Sequence, residues 1–321
     1  MTDPAIYVPK NLGVGLIAPS GYAPDMAKVA RAIERLQMMG CRVISHFFAD
    51  RKIERFGGSD ADRVMHLHAA VADPDVDIVL ALRGGYGLSR ILSLIDWRLL
   101  ADSGKLLVGH SDFTALQLGL LAQTGAISFA GPMICDDFAR EPISAFTLDH
   151  FWQCVTSAQC VIRIEQTGGP RVQAGGTLWG GNLAMLTHLI GSPYLPDIDG
   201  GILFLEDINE HPFRVERMLL QLLHAGVLAK QSAIVLGDFS GARLSDYDNG
   251  FSFASVLAHL RGKLSVPIVT GLRFGHIADK VTLPVGAAAT LAGDQDGWEL
   301  KVGGYPFLHQ DRTLFQGKPS F

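Results

Sequence analysis

Three short polar segments of this sequence each follow an apolar run and carry side chains that could do chemistry. They are Gly109-His110-Ser111-Asp112, Glu206-Asp207 and Gly275-His276. A serine hydroxyl is a poor nucleophile until a base takes its proton, and a histidine acts best as that base when a carboxylate orients it. The side chains needed for acyl transfer are therefore present, each at the end of a predicted strand or in the loop after one.

Each of these residues also has an ordinary structural role open to it. Ser111 stands where a helix begins, and serine is among the preferred residues for capping a helix N-terminus. Its segment is similar to the G-x-S-x-G nucleophile elbow, but Phe113 stands at the second glycine position, so that motif is not satisfied. Either Glu206 or Asp207 could orient a histidine or cap a turn. His276 could be a surface loop residue.

A glycine-rich turn, Arg83-Gly84-Gly85-Tyr86-Gly87, closes another apolar run. Glycines at this density let the backbone adopt positive φ and approach a ligand closely, so the turn could donate an N–H to an oxyanion or hold a phosphate. It matches neither the G-x-G-x-x-G fingerprint nor the Walker A motif. A non-catalytic, Rossmann-like nucleotide- or sugar-binding protein therefore remains an alternative.

Metal chemistry has less support in the sequence. No His-Glu-x-x-His or His-x-His motif is present, and Cys41, Cys135, Cys154 and Cys160 show no C-x-x-C spacing. We therefore expect no catalytic metal, no cofactor and free thiols in a reducing compartment. The weaker candidates for a catalytic base, by position, are His110, His188, His211 and His259.

The first half of the chain alternates predicted strands and helices, which indicates a parallel sheet covered on both faces. Its predicted strands are 12–18, 41–46, 76–82 and 105–108, and its predicted helices are 25–39, 60–72, 88–95 and 113–123. The second half contains a glycine-rich segment at 175–182, helices at 183–190 and 213–225, strands at 201–205, 233–237 and 266–270, and a hairpin at 280–291.

The chain length of 321 residues favours two domains. The pattern loosens between about 134 and 173, apart from a short β-like stretch at 160–164. We therefore predict an α/β N-terminal domain over 1–150, a linker region over 151–174 and a C-terminal domain over 175–321.

Composition excludes several classes of function. The net charge of −5 gives no basic surface of the kind that binds nucleic acid. No apolar stretch approaches the roughly 18 residues of a membrane span, and the first ten residues do not resemble a secretory signal. We expect a cytoplasmic protein with no nucleic-acid or membrane partner.

Taken together, the segments resemble the LD-carboxypeptidase family of serine peptidases, also called muramoyltetrapeptide carboxypeptidases, which includes the microcin self-immunity proteins. The resemblance covers nearly the whole chain. It rests on Ile17-Ala18-Pro19-Ser20, Leu82 to Gly87, Gly109 to Asp112, Trp179-Gly180-Gly181-Asn182, Leu205-Glu206-Asp207 with Arg214 to Arg217, and Gly275-His276.

The resemblance implies a role for each matching residue. Ser111 would be the nucleophile, His276 the base and Glu206 the carboxylate that orients it, while the N–H groups of Gly85 and Asp112 would form the oxyanion hole. It implies a flavodoxin-like N-terminal domain carrying Ser111, a smaller β-rich C-terminal domain carrying Glu206 and His276, and a homodimer. Substrate contacts are assigned to Arg83, Trp179 and Asn182.

The substrate implied is a murein tetrapeptide or a related LD-peptide, from which a terminal D-Ala is released. The alternative within the family is a toxic peptidyl-nucleotide, with Trp179 as the candidate for stacking on a base. Phe213 stands where the family often has tyrosine, which leaves substrate contacts near Phe213 open.

Overall fold

The computed structural model of the protein describes residues 8–165 and 169–317. In chain order its strands are β1 (Gly13–Ile17), β2 (Arg42–His46), β3 (Ile78–Ala81), β4 (Leu106–Gly109), β5 (Ser128–Ala130), β6 (Gln159–Glu165), β7 (Val172–Asn182), β8 (Ile202–Ile208), β9 (Ala233–Ser240), β10 (Ile268–Val269), β11 (Leu283–Val285), β12 (Ala288–Asp294), β13 (Gly297–Gly303), β14 (Pro306–Leu308) and β15 (Leu314–Gln316).

The α-helices of the same residues are α1 (Met26–Met38), α2 (Asp60–Ala72), α3 (Leu88–Ile91), α4 (Trp97–Asp102), α5 (Thr114–Thr124), α6 (Ala145–Val155), α7 (Leu183–Leu189), α8 (Pro212–His224) and α9 (Phe253–Lys263). Short 3₁₀ helices cover Leu92–Leu94, Ser111–Phe113 and Asp246–Asp248, and a π-helical turn covers Ile134–Phe138.

The first sheet has the strand order β11-β5-β4-β3-β1-β2. Strands β1 to β5 are parallel and follow the flavodoxin-like order 2-1-3-4-5, so the predicted flavodoxin-like fold is confirmed. Every residue of β1, β3 and β4 is buried. Continuous apolar strands of this kind are expected where helices cover both faces of a parallel sheet.

The second sheet has the order β10-β9-β8-β7-β12-β13-β6. Strands β7 to β10 run parallel, whereas β7, β12, β13 and β6 pair antiparallel. The prediction that the C-terminal part of the chain is β-rich is therefore confirmed. Strands β14 and β15 form a separate antiparallel pair.

Two segments of the chain form strand pairings that the sequence analysis does not predict. The predicted linker, 151–174, contains β6, which pairs along its whole length with β13 at the edge of the second sheet. The predicted hairpin, 280–291, is instead two strands in different sheets: β11 pairs with β5, and β12 pairs with β7 and β13. The pairings of β6 with β13, of β11 with β5 and of β12 with β7 join residues far apart in sequence, so no local pattern reveals them. The pairing of β12 with β13, in contrast, is between neighbouring strands.

Because of β11, the first sheet is completed by a strand from the C-terminal part of the chain. Within 8–165 and 169–317, no helix has the length and apolar character needed to cross a bilayer.

Candidate active site

Ser111, Glu206 and His276 come from three different parallel strands or the loops that follow them. Ser111 follows β4, Glu206 lies near the end of β8, and His276 lies in the connection from β10 to β11. The carboxyl ends of parallel strands are where α/β folds place their reactive side chains. This common direction brings together residues that are up to 165 positions apart.

The three side chains form a continuous chain of hydrogen bonds. Nδ1 of His276 lies 2.8 Å from Oε2 of Glu206, and Nε2 lies 3.0 Å from Oγ of Ser111. A carboxylate can only accept, so Nδ1 carries the ring proton and Nε2 of the neutral imidazole is free to accept from the serine hydroxyl. This is the tautomer that a serine nucleophile needs, and we refer to the three residues as the triad.

The environment of the triad supports a basic histidine. Glu206 is fully buried, and the side chain of His276 is 20% exposed. Burial lowers the pKa of His276, but the hydrogen bond and negative charge of Glu206 outweigh it, so the pKa lies above the usual histidine value. Gly275 has φ +139°, and an added Cβ there would lie 3.2 Å from Oε2 of Glu206. The glycine therefore lets the histidine loop approach the carboxylate closely.

Ser111 has a backbone φ of +64°, which is unusual for a residue with a side chain. It opens a 3₁₀ turn, Ser111–Phe113, that leads directly into α5, and no side-chain hydrogen bond caps either helix start. The hydroxyl contacts His276 instead. The structure therefore does not support the alternative in which Ser111 only caps a helix.

The glycine-rich turn after β3 lies against Ser111. A Cβ on Gly84 would fall 2.7 Å from Cβ of Ser111 and 3.3 Å from the main-chain nitrogen of Asp112, so no side chain fits there. The carbonyl of Gly84 accepts from the N–H of Gly21, and the N–H of Gly85, in the same planar peptide, therefore points the opposite way. Gly85 itself has φ +103°.

The side chain of Asp112 joins this turn to the serine. Its Oδ2 accepts from the hydroxyl of Ser20 at 2.6 Å and from the N–H of Leu88 at 3.0 Å. Burial raises the pKa of Asp112. Asp112 directly follows Ser111 in the chain. Its carboxyl group therefore holds the end of the glycine-rich turn next to the serine.

Glu206 and Asp207 are adjacent on β8, and alternation along a strand predicts that their side chains point to opposite sides. The structure differs, because the pairing of β8 with β9 shifts register between Leu205 and Asp207. As a result, Nδ2 of Asn182 donates to Oε1 of Glu206 and to Oδ1 of Asp207, each at 3.1 Å. Only Glu206 contacts the histidine.

Asn182, for which a substrate contact is predicted, lies between the carboxylate of the triad and the starts of two helices. It is buried, and its Oδ1 accepts from the N–H of Met185, which caps α7. Its own N–H donates to Oγ1 of Thr114, at the start of α5. Asn182 thus links the carboxylate of the triad to the helix that follows the serine.

The structure does not bring Trp179 to the triad. Its side chain is 1% exposed, and its indole N–H donates to Oε1 of Gln231 at 2.9 Å. Gln231 lies just before β9, at the opposite end of the parallel strands from Glu206. Trp179 is only three residues from Asn182, but its side chain lies at the other end of the strands because it contacts Gln231, which is 52 residues away. Sequence reasoning cannot identify such a distant partner.

Arg83 is half-buried and immediately precedes Gly84, the residue in contact with Ser111. In the part of the chain that the structure describes, it forms no ion pair with a carboxylate. A guanidinium without a carboxylate partner, on a residue next to the turn that contacts Ser111, is able to bind an anionic group of a ligand.

Sequence reasoning missed the role of Lys280. This lysine is buried near the triad and pairs with Asp137. Its only sequence signal is its position directly before the apolar stretch 281–285. Among the weaker histidine candidates, His211 pairs with Asp248 at 3.0 Å. Across the described ranges, no three His, Cys, Asp or Glu side chains are grouped so that they could hold a metal ion.

The fold and the hydrogen-bonded serine, histidine and glutamate are those of a serine-type hydrolase. A family profile described as the LD-carboxypeptidase N-terminal domain matches residues 14–131, and one described as the LD-carboxypeptidase C-terminal domain matches residues 175–291. The chain belongs to the LD-carboxypeptidase family and is a serine-type carboxypeptidase. The alternative of a non-catalytic Rossmann-like binding protein is therefore wrong.

Individual relatives agree with this assignment. A crystal structure of muramoyltetrapeptide carboxypeptidase from Oxalobacter formigenes is 52% identical, with a TM-score of 0.87 over 91% of this chain and 99% of its own. The murein tetrapeptide carboxypeptidase of Pseudomonas aeruginosa is 29% identical over 89% of this chain and 94% of its own. The microcin C7 self-immunity protein MccF of Escherichia coli is 26% identical over 94% and 96%, respectively.

Proposed function

We propose that this enzyme releases the terminal D-Ala of murein tetrapeptide by hydrolysing the amide bond between an L-centre and the D-residue. The hydrogen-bonded chain from Ser111 through His276 to Glu206 carries the proposal. The similarity to murein tetrapeptide carboxypeptidases over most of the chain supports the substrate class.

The proposed mechanism begins with attack of the Ser111 hydroxyl on the scissile carbonyl carbon. His276 takes the hydroxyl proton on Nε2 while Glu206 stabilises the resulting imidazolium. The carbonyl oxygen becomes an oxyanion and is held by the N–H groups of Gly85 and Asp112. His276 then gives the proton to the departing amine of D-Ala. An ester to Ser111 remains, which water hydrolyses with His276 acting again as base.

Arg83 is our proposed partner for the terminal carboxylate of the substrate. A carboxypeptidase must recognise the free carboxylate next to the bond it cleaves, and a guanidinium binds a carboxylate with two parallel hydrogen bonds. Arg83 adjoins the turn that contacts Ser111 and is unpaired among the described residues. Asn182, in contrast, is proposed to orient Glu206 rather than to touch the substrate.

We further propose that the reaction serves peptidoglycan recycling in the cytoplasm and that the enzyme acts as a homodimer. The four described cysteines are unpaired and buried, which fits a reducing compartment. Light scattering of the purified protein tests the dimer directly, and a mass of one chain at assay concentration would contradict it.

The test of function uses tetrapeptides that end in D-Ala, with either lysine or diaminopimelate as the preceding residue. The matched control is the same peptide ending in L-Ala. We expect D-Ala release from a D-terminal peptide, no release from the L-terminal peptide, and a serine-reactive phosphonate adduct on Ser111. An adduct on another serine would overturn the mechanism.

A peptidyl-nucleotide is the alternative substrate, because MccF is a relative over nearly the whole chain. Trp179, the candidate for stacking on a base, is buried and donates its indole N–H to Gln231, which does not favour this alternative. Turnover of an aminoacyl sulfamoyl adenosine but not of the tetrapeptides would favour this alternative over murein hydrolysis.

A further inference from the structure

A buried group of charged and titratable side chains lies directly behind the triad. It consists of His110, Asp137 and Lys280, which are 1%, 3% and 1% exposed. They come from the end of β4, from the π-helical turn and from the connection that carries His276. Burying an ammonium group is unfavourable unless it is paired, so this arrangement calls for a reason beyond packing.

The contacts fix the protonation of His110. Its Nδ1 lies 3.0 Å from the carbonyl oxygen of Gly131, which can only accept, so Nδ1 carries the proton. Its Nε2 is therefore an acceptor, and it faces the ammonium of Lys280 at 3.5 Å. The same ammonium lies 2.8 Å from Oδ1 of Asp137. Burial and the nearby Lys280 hold the pKa of His110 well below the usual histidine value.

His110 consequently cannot serve as a second base, although it adjoins Ser111. A proton on its Nε2 would place two positive charges about 3.5 Å apart in a buried site. Its ring instead lies edge-to-face against the ring of His276, with the centroids 5.2 Å apart. Neutral His110 is therefore the member of the buried group that adjoins Ser111 in the chain and contacts the ring of His276.

Ser111 needs support on both sides because of its positive φ. A residue held in such a conformation is strained and keeps it only when its surroundings impose it. On one side, the Asp112 side chain is held by Ser20 and Leu88. On the other side, the His110 side chain is held by Gly131 and Lys280.

Lys280 also belongs to the segment of the base, since it lies four residues after His276. Its N–H donates to Oγ1 of Thr147 at 2.9 Å, and that hydroxyl donates to the carbonyl of Ala278 at 2.7 Å. The backbone of this segment is thus fixed on α6, while the Lys280 ammonium reaches the residue that precedes Ser111.

We propose that Lys280 is a positioning residue, which holds Ser111 and His276 at reacting distance through its contact with His110 and its ion pair with Asp137. The inference rests on the proposed roles of Ser111 and His276. It does not depend on which peptide is the natural substrate.

The test compares Lys280→Met, Asp137→Asn/Lys280→Met and His110→Asn. The double variant removes both charges, so no unpaired carboxylate is left buried if the single variant fails to fold. His110→Asn keeps an N–H donor for the carbonyl of Gly131 but lacks the ring atom Nε2, which faces Lys280. The matched control is Lys230→Met, which breaks the exposed ion pair of Lys230 with Asp197.

Two measurements separate positioning from folding. The first is the rate constant for phosphonate labelling of Ser111, measured on protein shown to be folded by circular dichroism. The second is kcat and KM for the tetrapeptide. We expect both the labelling rate and kcat to fall about 10- to 100-fold in the three variants, because a displacement of about 1 Å can lower a rate about 100-fold. KM should change less than about threefold, since binding groups are untouched.

Wild-type labelling and kcat in a folded double variant or in folded His110→Asn would overturn the inference. A fall equal to that of Lys230→Met would do the same. If the wild-type enzyme fails to hydrolyse the tetrapeptide but Lys280→Met still slows labelling of Ser111, the proposed function is wrong and the positioning role stands.

Discussion

Replacing Glu206 with glutamine should produce a well-formed site with the wrong proton on His276. Oε1 of Glu206 accepts from Nδ2 of Asn182, and Oε2 accepts from Nδ1 of His276. In Glu206→Gln, the amide oxygen is needed to accept from Asn182, so the new NH₂ group faces the histidine. Two donors cannot share that hydrogen bond, and the ring must move its proton from Nδ1 to Nε2.

The consequence is large because Nε2 is the atom that faces Ser111 at 3.0 Å. With a proton already on Nε2, the imidazole can no longer accept one from the hydroxyl. In a serine protease, the corresponding carboxylate-to-amide exchange lowers kcat by about 10⁴. We expect a loss of the same order in Glu206→Gln, which corresponds to about 5.5 kcal/mol of transition-state stabilisation. KM should change little, because the lost interaction belongs to the transition state.

The matched control is Asp207→Asn, which makes the same chemical change one residue away. Asp207 accepts from Asn182, Ala184 and Ile208 but does not contact His276. Its replacement should lower kcat about tenfold at most, through a looser Asn182, and should lower stability by about 1–3 kcal/mol for one unsatisfied donor. D-Ala release and phosphonate labelling are measured for both variants. If Asp207→Asn is the more damaging change, the reasoning about Glu206 is refuted.

Four further results are expected. Ser111→Ala should lower kcat on the order of 10⁶-fold and leave the melting curve nearly unchanged, with Ser192→Ala as control; retention of a tenth of the activity would exclude Ser111 as nucleophile. Exhaustive chelation with EDTA should leave turnover unchanged, because the proposed base is a histidine rather than metal-bound water; loss that zinc restores would contradict this. The value of kcat/KM should rise with pH to a plateau, because only neutral His276 can accept a proton. The midpoint of this rise should lie above 6.5, since Glu206 raises the pKa of His276. A midpoint below 6.5 would count against the role of Glu206. Burial raises the pKa of Asp207 from 3.8 to about 6, so between these pH values the native state holds a proton that the unfolded chain has released. The free energy of unfolding should therefore fall by about 3 kcal/mol as pH rises from about 4 to 6. Urea titrations should show this fall in the wild type but not in Asp207→Asn.

The sequence was sufficient to predict the segments that form the site. Ser111 and the start of the Gly84–Gly85 turn lie within three residues of the end of a short apolar strand, and Glu206 lies near the end of another. The parallel strands of the first sheet alternate with helices along the chain. Strand-end position is a local property, so it can be read from composition and periodicity alone. The fold of the N-terminal part was predictable for the same reason, since its parallel strands follow each other along the chain.

Contacts that depend on distant pairing could not be predicted in this way. The register shift in β8 turns the side chains of Glu206 and Asp207 toward the same amide of Asn182, although strand alternation separates them. The direction of Trp179 depends on Gln231, which is 52 residues away. The burial of Lys280 depends on Asp137 and His110, so its sequence neighbours give little indication of it.

The path of the chain around His276 explains how residues of two sheets can share one proton path. Ser111 follows β4 of the first sheet, and Glu206 belongs to β8 of the second. His276 lies in the connection that leaves the second sheet at β10 and enters the first at β11. The residue that links the serine to the carboxylate chemically is therefore also located where the chain crosses between the sheets. Because β10 pairs with β9 and β11 pairs with β5, this crossing is fixed at both ends. Between them, Lys280 fixes it again through its contact with His110.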